Sequence, residues 1–437
     1  MKSKSGRLSH DRILGLAFLI LVVVPASSGL AFSDPDCYKC HADEQSAVTK
    51  AGGDRIAAPQ KVEGVAGEKS KHSPPVNRAH LEESAHRGLG CVGCHADIKS
   101  VPHPESLKPV LCSTCHEPEG AKYLGSVHGM AFSKGDPDVP TCAKCHGDHH
   151  VLPVDNPQSR VYPTNLIKVC IACHADEAIE ARHDLPQQGL FRAYENSVHG
   201  RAIEEKGFVV AAACNDCHGS HEIKPVDDPG SLANKRNIPA VCGKCHTGIY
   251  DEYSGSIHGT AVASGIKEAP VCTDCHGEHT IAKVTDPQSK VYSRNIPTTC
   301  SACHDDREIV AEYKLAAKRY VTYLNSYHGV ANKFGIPYVA NCATCHGVHN
   351  IRPAGDPLST INRENLPATC GKCHPGASRN FALGKVHVEA TRENSIGVYA
   401  VREFYKWFIG VLVTCFALYA VLETVGKMRR KYAVQGK

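Results

Sequence analysis

Phenylalanine and tryptophan are scarce in this sequence: 10 Phe and 1 Trp in 437 residues, against 37 Gly and 26 Pro. That balance excludes a conventional large apolar core. Methionine is scarcer still at three, and Met130 stands alone between Met1 and Met428. Neither sign of charge dominates, the formal balance being +4, so nothing marks the chain as a binder of polyanions. Long apolar runs occur only near the two ends. What the sequence holds in quantity is cysteine, 23 residues.

All but one of these cysteines belong to a single pattern, Cys-x-x-Cys-His, which occurs eleven times. The copies are Cys37-Cys40-His41, Cys91-Cys94-His95, Cys112-Cys115-His116, Cys142-Cys145-His146, Cys170-Cys173-His174 and Cys214-Cys217-His218. They continue with Cys242-Cys245-His246, Cys272-Cys275-His276, Cys300-Cys303-His304, Cys342-Cys345-His346 and Cys370-Cys373-His374. This is the spacing of c-type haem attachment. The two thiols form thioethers with the porphyrin vinyl groups, and the adjacent imidazole is delivered to the iron as its proximal ligand. Tetrahedral zinc also uses Cys-x-x-Cys pairs, and short disulfides would account for the pairs. Neither explains a histidine at the next position in every copy. Cys415 is left over, inside the C-terminal apolar run, where it reads as a packing residue.

Residues 37–387 offer roughly 32 residues per motif, too few for each segment to fold on its own apolar surface. The porphyrins are therefore expected to supply most of the core, as structural metals do elsewhere. They also change the charge. Loss of residues 1–31 would leave +1, and two propionates on each of eleven haems would bring the total to about −21. Basic side chains are then needed as propionate partners, and nucleic-acid binding is not expected.

The N-terminus has the form of a secretory signal. Lys2, Lys4, Arg7 and Arg12 make a charged region, Ile13 to Val24 an apolar one, and cleavage is expected after Ala31. Export suits haem attachment, which takes place outside the cytoplasm. At the other end, Trp407 to Leu422 is free of charge, Glu423 lies at its edge, and Lys427, Arg429, Arg430 and Lys431 follow. This predicts a transmembrane helix over 404–426, with the tail 427–437 in the cytoplasm by the positive-inside rule.

Between these ends the chain repeats. After a first haem motif and polar linker (32–80), five tandem di-haem repeats fill 81–390, and 391–403 leads into the membrane. Each repeat has a Ser-x-His, a haem motif, a further His, a proline-containing loop and a second haem motif. The added histidines are His86 and His103, then His128 and His149, His199 and His221, His258 and His279, and His328 and His349. His387 falls where a sixth Ser-x-His would stand. The count balances at one distal candidate per iron, so bis-histidine, low-spin, low-potential haems are expected. His72, His80, His150 and His183 are surplus. The longer repeats carry insertions over 176–196 and 305–325; in the second, Ile309, Val310, Tyr313, Ala317 and Tyr320 follow helical spacing.

On these motifs the chain resembles the multihaem c-type cytochromes with doubled Cys-x-x-Cys-His repeats, the cytochrome c3-like and quinol-linked membrane cytochromes. The resemblance covers about residues 37–387. It implies short helices and long loops wrapped around a haem chain, with little or no β-sheet, and eleven covalently bound haems c. It implies an electron-transfer protein rather than an enzyme. Small quinol-oxidising members are anchored by an N-terminal helix, whereas the anchor expected here is C-terminal. That departure points to an integral quinol-oxidising partner, a b-type cytochrome or similar. The expected setting is the cytoplasmic (inner) membrane, single-pass, with the haem domain on the periplasmic side. Electrons would pass to periplasmic or outer-membrane cytochromes. Two alternatives stand beside this: a multihaem reductase of a nitrogen or sulfur oxyanion with one open haem, or a subunit of an extracellular cytochrome filament. No Cys-x-x-Cys-Lys occurs, and the histidine balance leaves no obvious open position.

Overall fold

The protein is described here from a computed structural model over residues 34–41, 76–104, 106–183, 185 and 189–435. The signal expected over 1–31, the polar linker from 42 to 75 and the side chain of Cys40 lie outside the described residues. Short helices joined by turns make up the architecture, and no β-strand occurs among the described residues. Most helices run four to nine residues; Pro163–His174 has 12 and Ile396–Gln435 has 40. Helices this short are marginal alone, so caps and side-chain clamps must hold them.

Two units divide the chain. The first comprises residues 1–112 and 149–151 and contains the helices Asp34–His41, Arg78–Glu83 and Cys91–Cys94. The Asp34 carboxylate accepts the Cys91 backbone N–H at 2.8 Å, bringing the first two haem motifs side by side. Ala85 N–H donates to the Val151 carbonyl, also at 2.8 Å.

The second unit, residues 113–148 and 152–437, repeats one local design. In Asn156-Pro157-Gln158-Ser159, the Asn156 side chain accepts from the Gln158 N–H at 2.9 Å, an Asx turn. Asn165 then donates its amide to the carbonyls of Pro157 and Ser159, both at 2.9 Å. Asn237, Asn295 and Asn365 grip the equivalent Pro and Ser carbonyls in later repeats. Ser159, Ser231, Ser289 and Ser359 are correspondingly among the most buried residues, 1–3% exposed. Each clamp leads into a helix with proline in its first turn, where the missing N–H costs nothing. These helices, Pro163–His174, Ile238–Gly243, Ile296–His304 and Leu366–Gly371, carry or open the second haem motif of each repeat.

The apolar core is small. Among the described residues nine apolar side chains are buried: Ile98, Leu152, Ile167, Ile203, Ala213, Ala269, Val271, Tyr323 and Ala331. The interior is instead a continuous cavity of about 3600 Å³, lined by residues of five consecutive motifs from Cys242 to His374.

The 305–325 insertion departs from the single helix that its spacing predicts. It forms Arg307–Glu312 and Arg319–Leu324, because Lys314 and Lys318 adopt left-handed backbone at φ 52° and 60°. The Tyr313 hydroxyl, at the break, donates to Glu268 at 2.6 Å. The C-terminal helix Ile396–Gln435 takes in the expected juxtamembrane residues from 396 as well as 404–426. None of its apolar window is buried against protein, and it is long and apolar enough to cross a membrane. Trp407 to Gly426 spans about 30 Å at 1.5 Å per residue, the thickness of a hydrocarbon core. Glu423, the acid at its edge, pairs with Lys427 one turn on at 2.8 Å. Such a surface associates with membranes.

Candidate haem sites

In the second unit the first motif of each repeat forms a one-turn helix: Cys142–His146, Cys214–His218, Cys272–His276 and Cys342–His346. Each ends on a glycine at positive φ, Gly147 at 93°, Gly219 at 86°, Gly277 at 86° and Gly347 at 87°. Only glycine takes this conformation without strain. The turn sends the next histidine of Cys-His-Gly-x-His away from its own motif.

The Ser-x-His elements are helix starts. Ser126, Ser197, Ser256 and Ser326 cap their helices by accepting the N–H of Gly129, Gly200, Gly259 and Gly329 at 3.0–3.2 Å, ordinary N-cap geometry. Those glycines sit against the preceding turn. A Cβ on Gly259 would lie 2.2 Å from the Tyr253 carbonyl oxygen, and on Gly129 1.9 Å from that of Tyr123. A tyrosine three residues before each serine holds the other side. Tyr123, Tyr194, Tyr253 and Tyr323 donate to the carbonyls of Pro140, Ala212, Pro270 and Ala340 at 2.7–3.0 Å. Each acceptor lies two residues before a first-motif cysteine. Sequence reading missed these tyrosines, although the spacing Tyr-x-x-Ser-x-His-Gly was there to find.

These elements bring histidines together in pairs. His41 faces His103, His95 faces His149, His146 faces His221, His218 faces His279 and His276 faces His349. His128 faces His174, His199 faces His246, His258 faces His304, His328 faces His374 and His346 faces His387. In all ten pairs the ring centres are 5.8–6.4 Å apart. Two imidazoles on opposite faces of one metal, each bonded at about 2 Å with its ring centre roughly 1 Å further back, have centres about 6 Å apart. The surplus histidines supply a contrast. His80 and His150 stack at 4.4 Å, while His183 lies beside Asp136 and Asp138 at 3.5 and 3.0 Å. His72 is outside the described residues.

The pairing follows a rule. A Ser-x-His imidazole faces the second motif of its own repeat, whereas a Cys-His-Gly-x-His imidazole faces the first motif of the repeat before. One backbone bond per junction sets this register: Val127 N–H to Ile223 O, Val198 to Ile281 and Ile257 to Ile351, each 2.8 Å. His387, which the sequence placed where a Ser-x-His would fall, stands in the other role, opposite a first motif at His346.

Successive motifs also abut. The thiols of Cys170 and Cys214, Cys242 and Cys272, and Cys300 and Cys342 are hydrogen-bonded. From Cys142 to Cys373 all sixteen motif thiols are free of disulfides and none is fully buried. Among the described residues the motifs do not gather three ligand atoms within 4.8 Å of one another. Burial pushes His95, His128, His174, His199, His218 and His276 down from their usual pKa, and His258 to about 4 with His304 adding to the effect. These buried rings are thus neutral donors at neutral pH. Spread over five motifs, the cavity gives each about 700 Å³, the scale of a large cofactor site. Free thiol pairs, imidazoles that face one another with a metal's width between them, and a cavity in place of a core fit haem c.

The chain is a multihaem c-type cytochrome, an electron-transfer protein that binds haem c. Residues 206–388 match the family described as outer membrane cytochrome MtrC/MtrF-like, domains II/IV. The cytochrome c-type protein NrfB of Escherichia coli O6:H1 is 24% identical over 145 residues, which cover 29% of this chain and 74% of that protein.

Proposed function

We propose that this chain is an undecahaem cytochrome in which every iron is held by two histidines, with Ser-x-His ligands serving second motifs and Cys-His-Gly-x-His ligands serving first motifs one repeat back. His387 serves the haem of Cys342 and Cys345. The single observation that supports this reading is the narrow separation of ten imidazole pairs. Haem iron alternates between ferrous and ferric, and two fixed imidazoles keep ligand rearrangement small at each electron hop.

In this reading the haem domain stands on the periplasmic side of the inner membrane and is tethered by the C-terminal helix. It takes electrons from an integral quinol-oxidising subunit and passes them to periplasmic or outer-membrane cytochromes. Only eight residues separate His387 from the helix that starts at Ile396, which makes its haem the entry point. A haem-to-protein ratio of eleven with a wholly low-spin ferric spectrum is expected. His279→Ala should make one haem high-spin without disturbing the haem of its own motif, Cys272–His276. Cutting the chain after Thr391 should abolish reduction by quinol in membranes. A ratio well below eleven, or a native high-spin signal, would return the reductase reading.

A further inference from the structure

The angle between paired rings sorts the sites into two classes. Where the distal ligand comes from a first-motif turn, or from His103, the planes are nearly parallel, at 6–25°. Where it comes from a Ser-x-His helix they are tilted by 47–62°. One first-motif pair breaks the rule: His346 and His387 are tilted by 49°. No later repeat exists among the motifs to supply a Cys-His-Gly-x-His turn for this site, and something else must hold the ring.

That something is Thr322. Its hydroxyl donates to the carbonyls of Lys318 and Arg319 at 2.8 and 3.0 Å. The oxygen is therefore left to accept from His387 Nδ1–H, at 3.0 Å, beside the Arg319 carbonyl, which accepts from the same ring. This fixes the tautomer and turns the bare Nε2 toward His346. Thr322 is 5% exposed, so water cannot substitute for it. The position before the tyrosine clamp is otherwise Lys122, Ala193 and Glu252. Only the repeat whose distal ligand comes from outside the pattern has a hydroxyl there.

We propose that Thr322 is a positioning residue that sets the ring plane and tautomer of His387, giving the membrane-proximal haem a tilted ligand geometry unlike the other first-motif haems. The proposal rests on the bis-histidine reading above. Parallel imidazole planes split the iron d orbitals that point between the ligands and give a rhombic low-spin signal. Tilted planes leave them nearly degenerate and give one large-g feature. A hydrogen bond from Nδ1 also makes the ligand more basic and favours ferric iron.

The test compares full-length holoprotein with Thr322→Val, Thr322→Ser and Lys122→Ala by ferric electron paramagnetic resonance and redox titration. Thr322→Val should remove one haem's intensity from the large-g feature and move one haem to more positive potential. Thr322→Ser and Lys122→Ala should superimpose on wild type. Spectra and titrations of Thr322→Val that match wild type would overturn the proposal alone. Equal loss of that haem in the Val and Ser variants would reduce Thr322 to packing and also overturn it. High-spin iron in the wild type would instead strike the bis-histidine reading.

Discussion

Tyr253 donates its hydroxyl hydrogen to the carbonyl of Pro270 at 2.7 Å. That contact ties the turn leading to His258 to the segment that leads into Cys272. The two histidines so linked belong to different imidazole pairs: His258 faces His304, and His276 faces His349. The clamp therefore fixes the spacing between neighbouring sites as well as the site itself. Burial, followed by the cysteines of the motif, raises the Tyr253 pKa, so the phenol stays a donor throughout the physiological range.

Tyr253→Phe tests the clamp. It leaves the ring in place and the Pro270 carbonyl, partly buried, without its partner. The expected cost is about 1–2 kcal/mol, read as a lower melting temperature of the holoprotein with haem content unchanged. A melting temperature equal to wild type would show that water takes over the acceptor.

Gly259→Ala tests the approach of the distal helix to the turn before it. The added Cβ would meet the backbone, 2.2 Å from Tyr253 O and 2.9 Å from Ser254 Cα, and backbone cannot move aside cheaply. The helix carrying His258 must shift, so one haem, that of Cys300–His304, should turn high-spin. Gly355→Ala is the control, since nothing lies within 4 Å of the Cβ there; its spectrum should match wild type.

The sequence made legible what is local. Motif spacing and the short helices follow from contacts within about ten residues. The proline-containing loop was visible too: Asp286-Pro287-Gln288-Ser289 and the following Asn295-Ile296-Pro297 form the clamp by which Asn295 grips Pro287 and Ser289. What stayed hidden depends on long-range closure. His279 faces His218 from the repeat before, through a register that Val198 and Ile281 set with one backbone bond; no local pattern encodes that choice. The insertion misled for another reason. Ile309, Val310, Tyr313, Ala317 and Tyr320 keep helical spacing, yet left-handed residues at Lys314 and Lys318 break the helix between them.

Removing haem should unfold the chain. Nine buried apolar side chains among the described residues cannot offset the conformational entropy of several hundred ordered residues. The helices are mostly too short to persist alone. Haem-free protein, made without the attachment machinery, should show weak helical circular dichroism and no cooperative thermal transition. A sharp transition would mean that the polypeptide carries a core of its own.

Acid should destabilise the holoprotein in a defined window. His258 is held down to about 4 by burial and by His304, against about 6.5 in an unfolded chain. Between these values the unfolded chain takes up a proton that the folded one refuses, so stability falls as pH falls through the window and is fully present above it. Burial lowers His128, His174, His199, His218, His276, His304, His328 and His346 in the same direction, and iron ligation, which also requires neutral imidazole, acts with the same sign. The melting temperature should be flat above pH about 7 and drop steeply from about 6.5 toward 4. High-spin iron should grow in over the same range. Because several imidazoles titrate together, the slope should exceed that of a single proton; a stability maximum below pH 5 would contradict the buried, neutral ligand set.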